Sequence, residues 1–136
     1  MPNPLTSQLA RPQVNPDQEL SVISGVAQQY KLTPEQTKLL FAIRRAENGT
    51  QGREFGVLVP EAMRFANDPD PMKSFNIQAM WAAGTIKKRY TGDLKAFSQR
   101  WAPIGASNDP KNLNANWLKN IEYFMNSPEN PYGQNT

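Results

Sequence analysis

The chain has 136 residues, which is enough for one domain with a hydrophobic core. It contains no His and no Cys, which excludes imidazole-dependent serine catalysis, thiol nucleophiles, disulfides and zinc sites built on His or Cys. Acid–base chemistry therefore falls mainly to Asp and Glu, and we expect no metal and no cofactor. The formal net charge of +3 suits an anionic polymer without selecting one.

The first elements in the chain are an arm and a helix. Residues 1–14 hold three prolines and little apolar periodicity, which predicts a flexible N-terminal arm. Asn15 as N-cap and Pro16 at the first helical position then predict the start of a helix.

The second helix has stronger boundary signals. Thr33 is followed by Pro34 and by Gln36, the pattern of a capping box with proline in the first turn. The helix is predicted to end at Glu47, because the pair Asn48-Gly49 suits the left-handed conformation of a C-cap.

Glu47 is the most informative residue of this helix. Leu39, Ile43 and Glu47 recur at intervals of four, so one side of the helix is apolar until it ends in a carboxylate. Burial beside apolar side chains raises the pKa of a carboxyl group, and a raised pKa suits a general acid near neutral pH. The alternative is a helix-terminal glutamate that bends into solvent.

Residues 50–72 predict an extended loop or small hairpin around Val57-Leu58-Val59, then a helical turn near Glu61–Phe65. Three further helices are expected: residues 74–90, one that Asp93 caps and Pro103 ends, and one that Asn114 caps. Several large side chains at helical spacing are assigned to the core, namely Trp81, Phe97, Trp117, Ile121 and Phe124.

An ordered series of segments resembles the lysozyme-like superfamily, and within it the soluble lytic transglycosylases and phage-borne muramidases. The segments are Ala42–Gly49, Phe55–Leu58, Asn76-Ile77, Ala83–Ile86, Arg89–Leu94 and Gln99–Gly105. The chain departs from the family pattern at Asn48, where Ser is usual, and at Val59, where Gln is frequent. The resemblance implies a mainly α, lysozyme-like single domain of five to six helices over residues 15–127, with a small β or loop element after the Glu47 helix. Residues 128–136 are expected to form a flexible tail.

The resemblance further implies cleavage of the β-1,4 bond between N-acetylmuramic acid and N-acetylglucosamine, with Glu47 as acid and then base in a lytic transglycosylase. No partner carboxylate is assigned, since Glu54, Glu61, Asp68 and Asp70 are interpreted as solvated loop charges. The substrate-binding candidates combine the segment after Glu47 with aromatic and amide side chains suited to sugars: Phe55, Gly56, Val57, Leu58, Tyr90, Trp101 and Asn108. Core packing is an equal alternative for Trp101.

Other functions remain open from the sequence. A hydrolysing muramidase and a non-catalytic virion structural or wall-binding domain share the expected scaffold. A nucleic-acid-binding protein would use Lys87-Lys88-Arg89 with Arg44 and Arg45, a small basic footprint, and we expect no nucleic acid partner.

The expected setting also follows partly from the resemblance. No apolar run approaches the roughly 20 residues that cross a bilayer, and the first residues lack the pattern of a secretory signal. We therefore expect a virion-associated or phage-encoded protein that acts on bacterial peptidoglycan in the periplasm. Other virion proteins are further candidate partners, through the N-terminal arm.

Overall fold

A computed structural model describes residues 13–50, 52–101 and 114–132. These residues form α1 (Pro16–Gln29), α2 (Pro34–Glu47), α3 (Pro71–Arg89), α4 (Leu94–Trp101) and α5 (Asn114–Asn126), with a 3₁₀ turn at Pro60–Met63. Because the described part of the chain contains no strand, the prediction of a mainly α fold is confirmed, and the element after Glu47 is a loop rather than a hairpin.

The predicted helix starts of α1 and α2 are confirmed. The Asn15 side chain accepts a hydrogen bond from Gln18 N at 2.8 Å, and Gln18 Oε1 accepts one from Asn15 N at 2.9 Å. Thr33 and Gln36 form the same reciprocal pair at the start of α2. These caps satisfy backbone N–H groups that a helix leaves without partners in its first turn.

Local caps also set the end of α2 and the start of α3. Asn48 closes α2 in the left-handed conformation, with φ 46° and ψ 35°, as predicted. Helix α3 begins at Pro71, three residues earlier than the predicted start at 74, because the Asp70 side chain caps it by accepting a hydrogen bond from Met72 N at 3.0 Å.

Helix α2 lies at the centre of the domain, and it packs against α1, α3 and α5. Its apolar residues between the first and last turns are buried: Leu39, Leu40, Ala42 and Ile43 completely, and Phe41 with 7% exposure. A helix surrounded in this way holds its last turn in a fixed place. Glu47 is therefore carried on the helix that packs against α1, α3 and α5.

The C-terminal boundary of the domain lies later than predicted. Asn130 is fully buried, and its side-chain amide donates to the carbonyl groups of Lys38 and Phe124, both at 3.1 Å. The Tyr132 ring packs edge-on against Phe41. Residues 128–132 thus belong to the folded domain, because they supply partners for buried groups of α2 and α5. The rest of the expected tail, residues 133–136, lies outside the described residues.

The core assignment is confirmed for Phe97, Trp117 and Ile121, and Phe124 is partly buried against the core. It is wrong for Trp81, whose side chain is 40% exposed. At the other terminus, Val14 packs against the core, so it belongs to the domain rather than to the expected arm, whose residues 1–12 are not described. Every helix in the described ranges is too short or too polar to cross a bilayer.

Candidate active site

The Glu47 carboxylate lies between two tryptophan side chains from two other helices. Trp117 Nε1, from α5, donates a hydrogen bond to Glu47 Oε2 at 2.8 Å. Trp101 Nε1, at the end of α4, donates to the same oxygen at 3.4 Å. Three helices therefore meet at this one side chain.

The two indoles belong to an aromatic cluster, which we define as Phe97, Trp101 and Trp117. The rings of Trp101 and Trp117 stack with centroids 5.9 Å apart and an interplanar angle of 21°. Phe97 stacks on Trp101 at 5.6 Å and tilts towards Trp117 at 6.3 Å. Because the three rings support one another, both indole N–H groups are held in place towards the carboxylate.

Gly56 closes another side of the Glu47 carboxyl group. It has a φ of +73°, and a Cβ atom built on it would lie 2.5 Å from both Cδ and Oε1 of Glu47. Glycine is needed here for two reasons, since L side chains rarely adopt this backbone conformation and since the space is already filled by the carboxylate.

Gln78 fixes the loop that carries Gly56. This fully buried side chain on α3 accepts hydrogen bonds from Phe55 N at 3.1 Å and Val57 N at 3.2 Å, and it donates to Val57 O at 2.8 Å and Ala62 O at 3.0 Å. All the hydrogen-bonding capacity of one amide is used on the backbone on both sides of Gly56.

Arg44 fixes the start of the same loop. Its Nη1 donates to the carbonyl oxygens of Gly49 and Glu54, both at 2.9 Å. Its Nε and Nη2 donate to the two carboxylate oxygens of Glu19 at 3.0 and 3.1 Å. The guanidinium group thus ties the chain after Glu47 to α1 as well as to α2.

Burial raises the pKa of Glu47 above its ordinary value, while the hydrogen bonds from Trp117 and then Trp101 oppose that rise. Removal from water disfavours the charged carboxylate, whereas N–H donors stabilise it. No neighbouring charge of the described residues contributes to the shift. The result is a carboxyl group that holds a proton more readily than a glutamate in water, yet has donors ready for its ionised form.

An open pocket lies beside the carboxylate, and we name it the Trp101 pocket. It has a volume of about 510 Å³, and its walls include Gly56, Val57, Leu58, Thr85, Arg89 and Trp101. Gly56 and Trp101 contact the Glu47 carboxyl group and also line the pocket. Glu47 itself is not among the walls of the pocket, so a ligand there would reach the carboxyl group past Gly56 and Trp101.

The structure separates the predicted substrate-binding residues into two groups. Gly56, Val57, Leu58 and Trp101 line the Trp101 pocket, and Leu58 is 57% exposed. Phe55 and Tyr90 do not offer their rings to it. Phe55 is completely buried and packs on Phe75, so its ring belongs to the core.

Tyr90 is also buried, and its hydroxyl donates to Glu35 Oε2 at 2.8 Å. Its pKa is raised well above the ordinary value, first by burial and then by Glu35. The hydroxyl is thus turned to the start of α2, away from the role expected for it. Asn108 lies outside the described residues.

Two residues of the site were missed from the sequence. Trp117 was assigned only to the core, although a buried indole N–H needs an acceptor, and this need was a usable signal. Gln78 was not singled out. It lies three and four residues from Phe75 and Ala82, so its place within a buried helical stripe was the available sign.

The other nearby acids have structural surroundings of their own. Glu54, expected to be solvated, is 6% exposed and accepts a hydrogen bond from Ser74 Oγ at 3.0 Å. Glu61 is exposed, and Asp70 caps α3. Asp68 is partly buried and accepts a hydrogen bond from Asp70 N at 2.9 Å. Within the described ranges, no group of three Asp and Glu residues could hold a metal ion.

The chain was compared with models of known families, with curated proteins and with solved structures, and none of the three comparisons finds a match. The site's chemistry therefore has to be argued from its own geometry.

Proposed function

We propose that this protein is a lytic transglycosylase, which cleaves the β-1,4 bond between N-acetylmuramic acid and N-acetylglucosamine in peptidoglycan. The observation that carries the proposal is the placement of Glu47. Its partly buried carboxyl group lies between two indole N–H donors and Gly56, at the edge of an open pocket.

The environment of Glu47 supports its use as an acid. Glycosidic cleavage requires a protonated carboxyl group at the bridging oxygen. Burial raises the pKa of Glu47, and a raised pKa keeps the proton on the group closer to neutral pH. The pocket walls combine apolar and polar groups, as pyranose rings with apolar faces and hydroxyl edges require.

The reaction proceeds in two proton transfers. Glu47 gives its proton to the bridging oxygen as the bond from that oxygen to C1 of the muramic sugar breaks. The C6 hydroxyl of the same sugar then bonds to C1, and the Glu47 carboxylate takes the hydroxyl proton. The product is a 1,6-anhydro sugar, Glu47 is protonated again, and no water is consumed. The indole N–H groups stabilise the carboxylate between the two transfers.

The position of Glu54 favours this one-acid route over hydrolysis with two acids. Retaining and inverting hydrolysis both use a second carboxylate of the enzyme, which attacks the sugar or activates a water molecule. Glu54 is 6% exposed, and its carboxylate already accepts a hydrogen bond from Ser74 Oγ at 3.0 Å. A hydrolysing muramidase on the same scaffold is therefore the second choice.

The arginines invoked for nucleic-acid binding already have acidic partners. Arg44 pairs with Glu19 at 3.0 Å, and Arg45 pairs with Glu129 at 2.9 Å. A phosphate backbone would have to compete with these carboxylates, so the basic footprint is reduced to Lys87-Lys88-Arg89. We propose instead that the protein serves a phage or virion in opening the bacterial wall.

The test is the digestion of purified peptidoglycan by the wild-type protein, by Glu47→Gln and by Glu122→Gln, with mass spectrometry of the released muropeptides. Glu122 is an exposed glutamate of α5 and serves as the matched control. We expect anhydro-muropeptides from the wild type and the control, and a rate lower by about a hundredfold or more with Glu47→Gln, since a general acid contributes roughly 10²–10⁴-fold.

The other results are equally informative. Products heavier by one water would show that the bond is hydrolysed, and the protein would then be a muramidase and not a transglycosylase. An intact wild-type protein that releases nothing would overturn the enzyme and leave a wall-binding or structural domain.

A further inference from the structure

One side of α3 forms an exposed ridge that the mechanism above does not use. Trp81, Thr85 and Arg89 follow one another at intervals of four, so their side chains lie along the same side of the helix. Trp81 is 40% exposed, and Arg89 is exposed as well. From Trp81 to Arg89 the ridge extends about 12 Å along the helix axis, at roughly 1.5 Å per residue.

A second pocket lies along this ridge, and we name it the Trp81 pocket. It has a volume of about 700 Å³, and its walls include Tyr30, Arg64, Trp81, Thr85, Lys88 and Arg89. Thr85 and Arg89 also line the Trp101 pocket. The Trp81 pocket and the Trp101 pocket are therefore neighbours on the same side of α3, with Thr85 and Arg89 between the Trp81 indole and the Trp101 side chain.

The charge of the Trp81 pocket is one-sided. Arg64, Lys88 and Arg89 line it, and Glu61 is the one acid among its walls. None of the three cations forms an ion pair with another residue of the described ranges. The described surface therefore presents positive charges, next to an exposed indole, to a ligand that carries carboxylates.

We propose that the Trp81 pocket is a second glycan-binding site, which holds sugars of the same strand beyond the bond that Glu47 cleaves, together with the acidic peptide stems of that strand. This inference rests on the proposed function. Trp81 packs on the apolar face of a pyranose ring, and the three cations bind stem carboxylates. The Thr85 hydroxyl, which donates to Trp81 O at 3.1 Å, accepts a hydrogen bond from a sugar hydroxyl.

The test measures binding without cleavage, in proteins that all carry Glu47→Gln. Purified glycan strands of several disaccharides, with and without their peptide stems, are titrated by calorimetry, and a single disaccharide-peptide serves as the short ligand. Trp81→Ala should weaken binding of the long strands by about tenfold, which corresponds to roughly 1.4 kcal/mol for one lost aromatic contact. Binding of the short ligand should be unchanged, and Trp81→Phe should retain most of the affinity.

Matched controls come from exposed residues outside both pockets. Tyr123 is an aromatic residue with 65% exposure on α5, and Tyr123→Ala should bind strands as the parent does. Lys88→Ala should weaken binding of stem-bearing strands but not of stem-free strands, whereas Lys95→Ala should change neither. Melting temperatures of all variants check that the fold is kept.

The outcomes separate this proposal from the function on which it rests. Equal binding by Trp81→Ala and Tyr123→Ala would overturn the second site and leave cleavage by Glu47 untouched. If strand binding depends on Trp81 but the wild-type protein cleaves nothing, the Trp81 pocket is a glycan-binding site and the proposed cleavage by Glu47 is wrong. Absence of strand binding and of cleavage would overturn both.

Discussion

Two opposite influences act on the proton of Glu47. Burial raises its pKa, and the N–H groups of Trp117 and Trp101 lower it, with burial the larger. In the proposed reaction Glu47 gives a proton and then takes one back, so both its protonated and its ionised state must be within reach. The indoles keep the carboxylate accessible in a place where burial alone would disfavour it.

Replacing Trp117 by Phe separates these influences. Phe keeps most of the ring but removes the donor that lies 2.8 Å from Glu47 Oε2, so the pKa of Glu47 should rise further. Because the proposed cleavage begins from protonated Glu47, activity should fall as the pH rises through this pKa, and the fall should move to higher pH in Trp117→Phe.

The control for that change is Trp101→Phe. It removes the longer contact of 3.4 Å and should move the fall by less. A pH–rate profile of kcat/KM for the three proteins measures the order. A fall that moves to lower pH in Trp117→Phe would contradict this account of the site.

Gly56 and Gly92 offer a paired comparison. Both have a positive φ, +73° and +104°, but a Cβ on Gly56 would meet the Glu47 carboxyl group, whereas one on Gly92 would meet nothing within 4 Å. Each change to Ala should destabilise the fold by about 1 kcal/mol or more through its backbone. Only Gly56→Ala should lose most of its cleavage activity.

Denaturant unfolding and a peptidoglycan release assay measure the two effects of these glycine variants. Equal loss of activity in Gly56→Ala and Gly92→Ala would mean that backbone strain, and not the space beside Glu47, decides the result.

The loop after Glu47 is held by hydrogen bonds to a side chain of helix α3. The backbone turns here, with Gly56 N donating to Arg53 O at 3.0 Å, and the Gln78 amide pairs with Phe55 N, Val57 N and Val57 O. The loop therefore needs no hairpin to be ordered beside Glu47. The backbone hydrogen bonds of this loop are made with the Gln78 side chain and not with a second strand.

Replacing Gln78 by Leu tests this arrangement. Leu fills a similar volume but leaves buried backbone groups without partners, and each such group costs roughly 1–3 kcal/mol. We expect a loss of at least about 2 kcal/mol in unfolding free energy, together with loss of cleavage. Gln28→Leu, at an exposed position of α1, is the control in the same denaturant titration. Equal stabilities of the two variants would show that the amide does not order the loop.

The sequence predicted elements well where the signal was local. The caps at Asn15, Thr33 and Asn48 depend on neighbours within four residues and were predicted correctly. The loop could not be predicted in the same way, because its order depends on Gln78, which is 21 residues from Val57 and 23 residues from Phe55. Trp81 was misassigned because helical spacing alone does not say which side of a helix is covered.

In the candidate site, too, residues with a local sequence signal were predicted, and residues whose role depends on distant contacts were not. Glu47 was predicted from its place after an apolar stripe, and Trp101 and Gly56 from the resemblance; the structure brings the three residues together. Trp117, which is 70 residues from Glu47 along the chain, was placed only in the core. Its contact with Glu47 depends on how α5 packs against α2, and no pattern within α5 reports that.

The stability of the whole domain should depend on the charge of Glu47. Burial raises its pKa in the folded protein, so the folded state binds the proton more tightly than the unfolded state does. This stabilisation is fully present below the ordinary pKa of a glutamate, about 4.3. It is lost as the pH rises through the raised pKa of the folded state.

Glu47→Gln lacks this titration and isolates it from that of the other acids. The melting temperature of the wild type, relative to that of Glu47→Gln, should decrease as the pH rises from about 4 to 8. Glu122→Gln should follow the wild type over the same range. A wild type that gains stability relative to Glu47→Gln with rising pH would mean that the pKa of Glu47 is lowered by folding.

The stacked indoles beside Glu47 also provide an intrinsic fluorescence signal at the site. The chain has three tryptophans, and two of them donate hydrogen bonds to the Glu47 carboxyl group. Their emission should change as that group titrates, since excited indoles are sensitive to nearby charge. With Trp81 replaced by Phe, the fluorescence of the unlabelled protein would report the protonation of Glu47 directly.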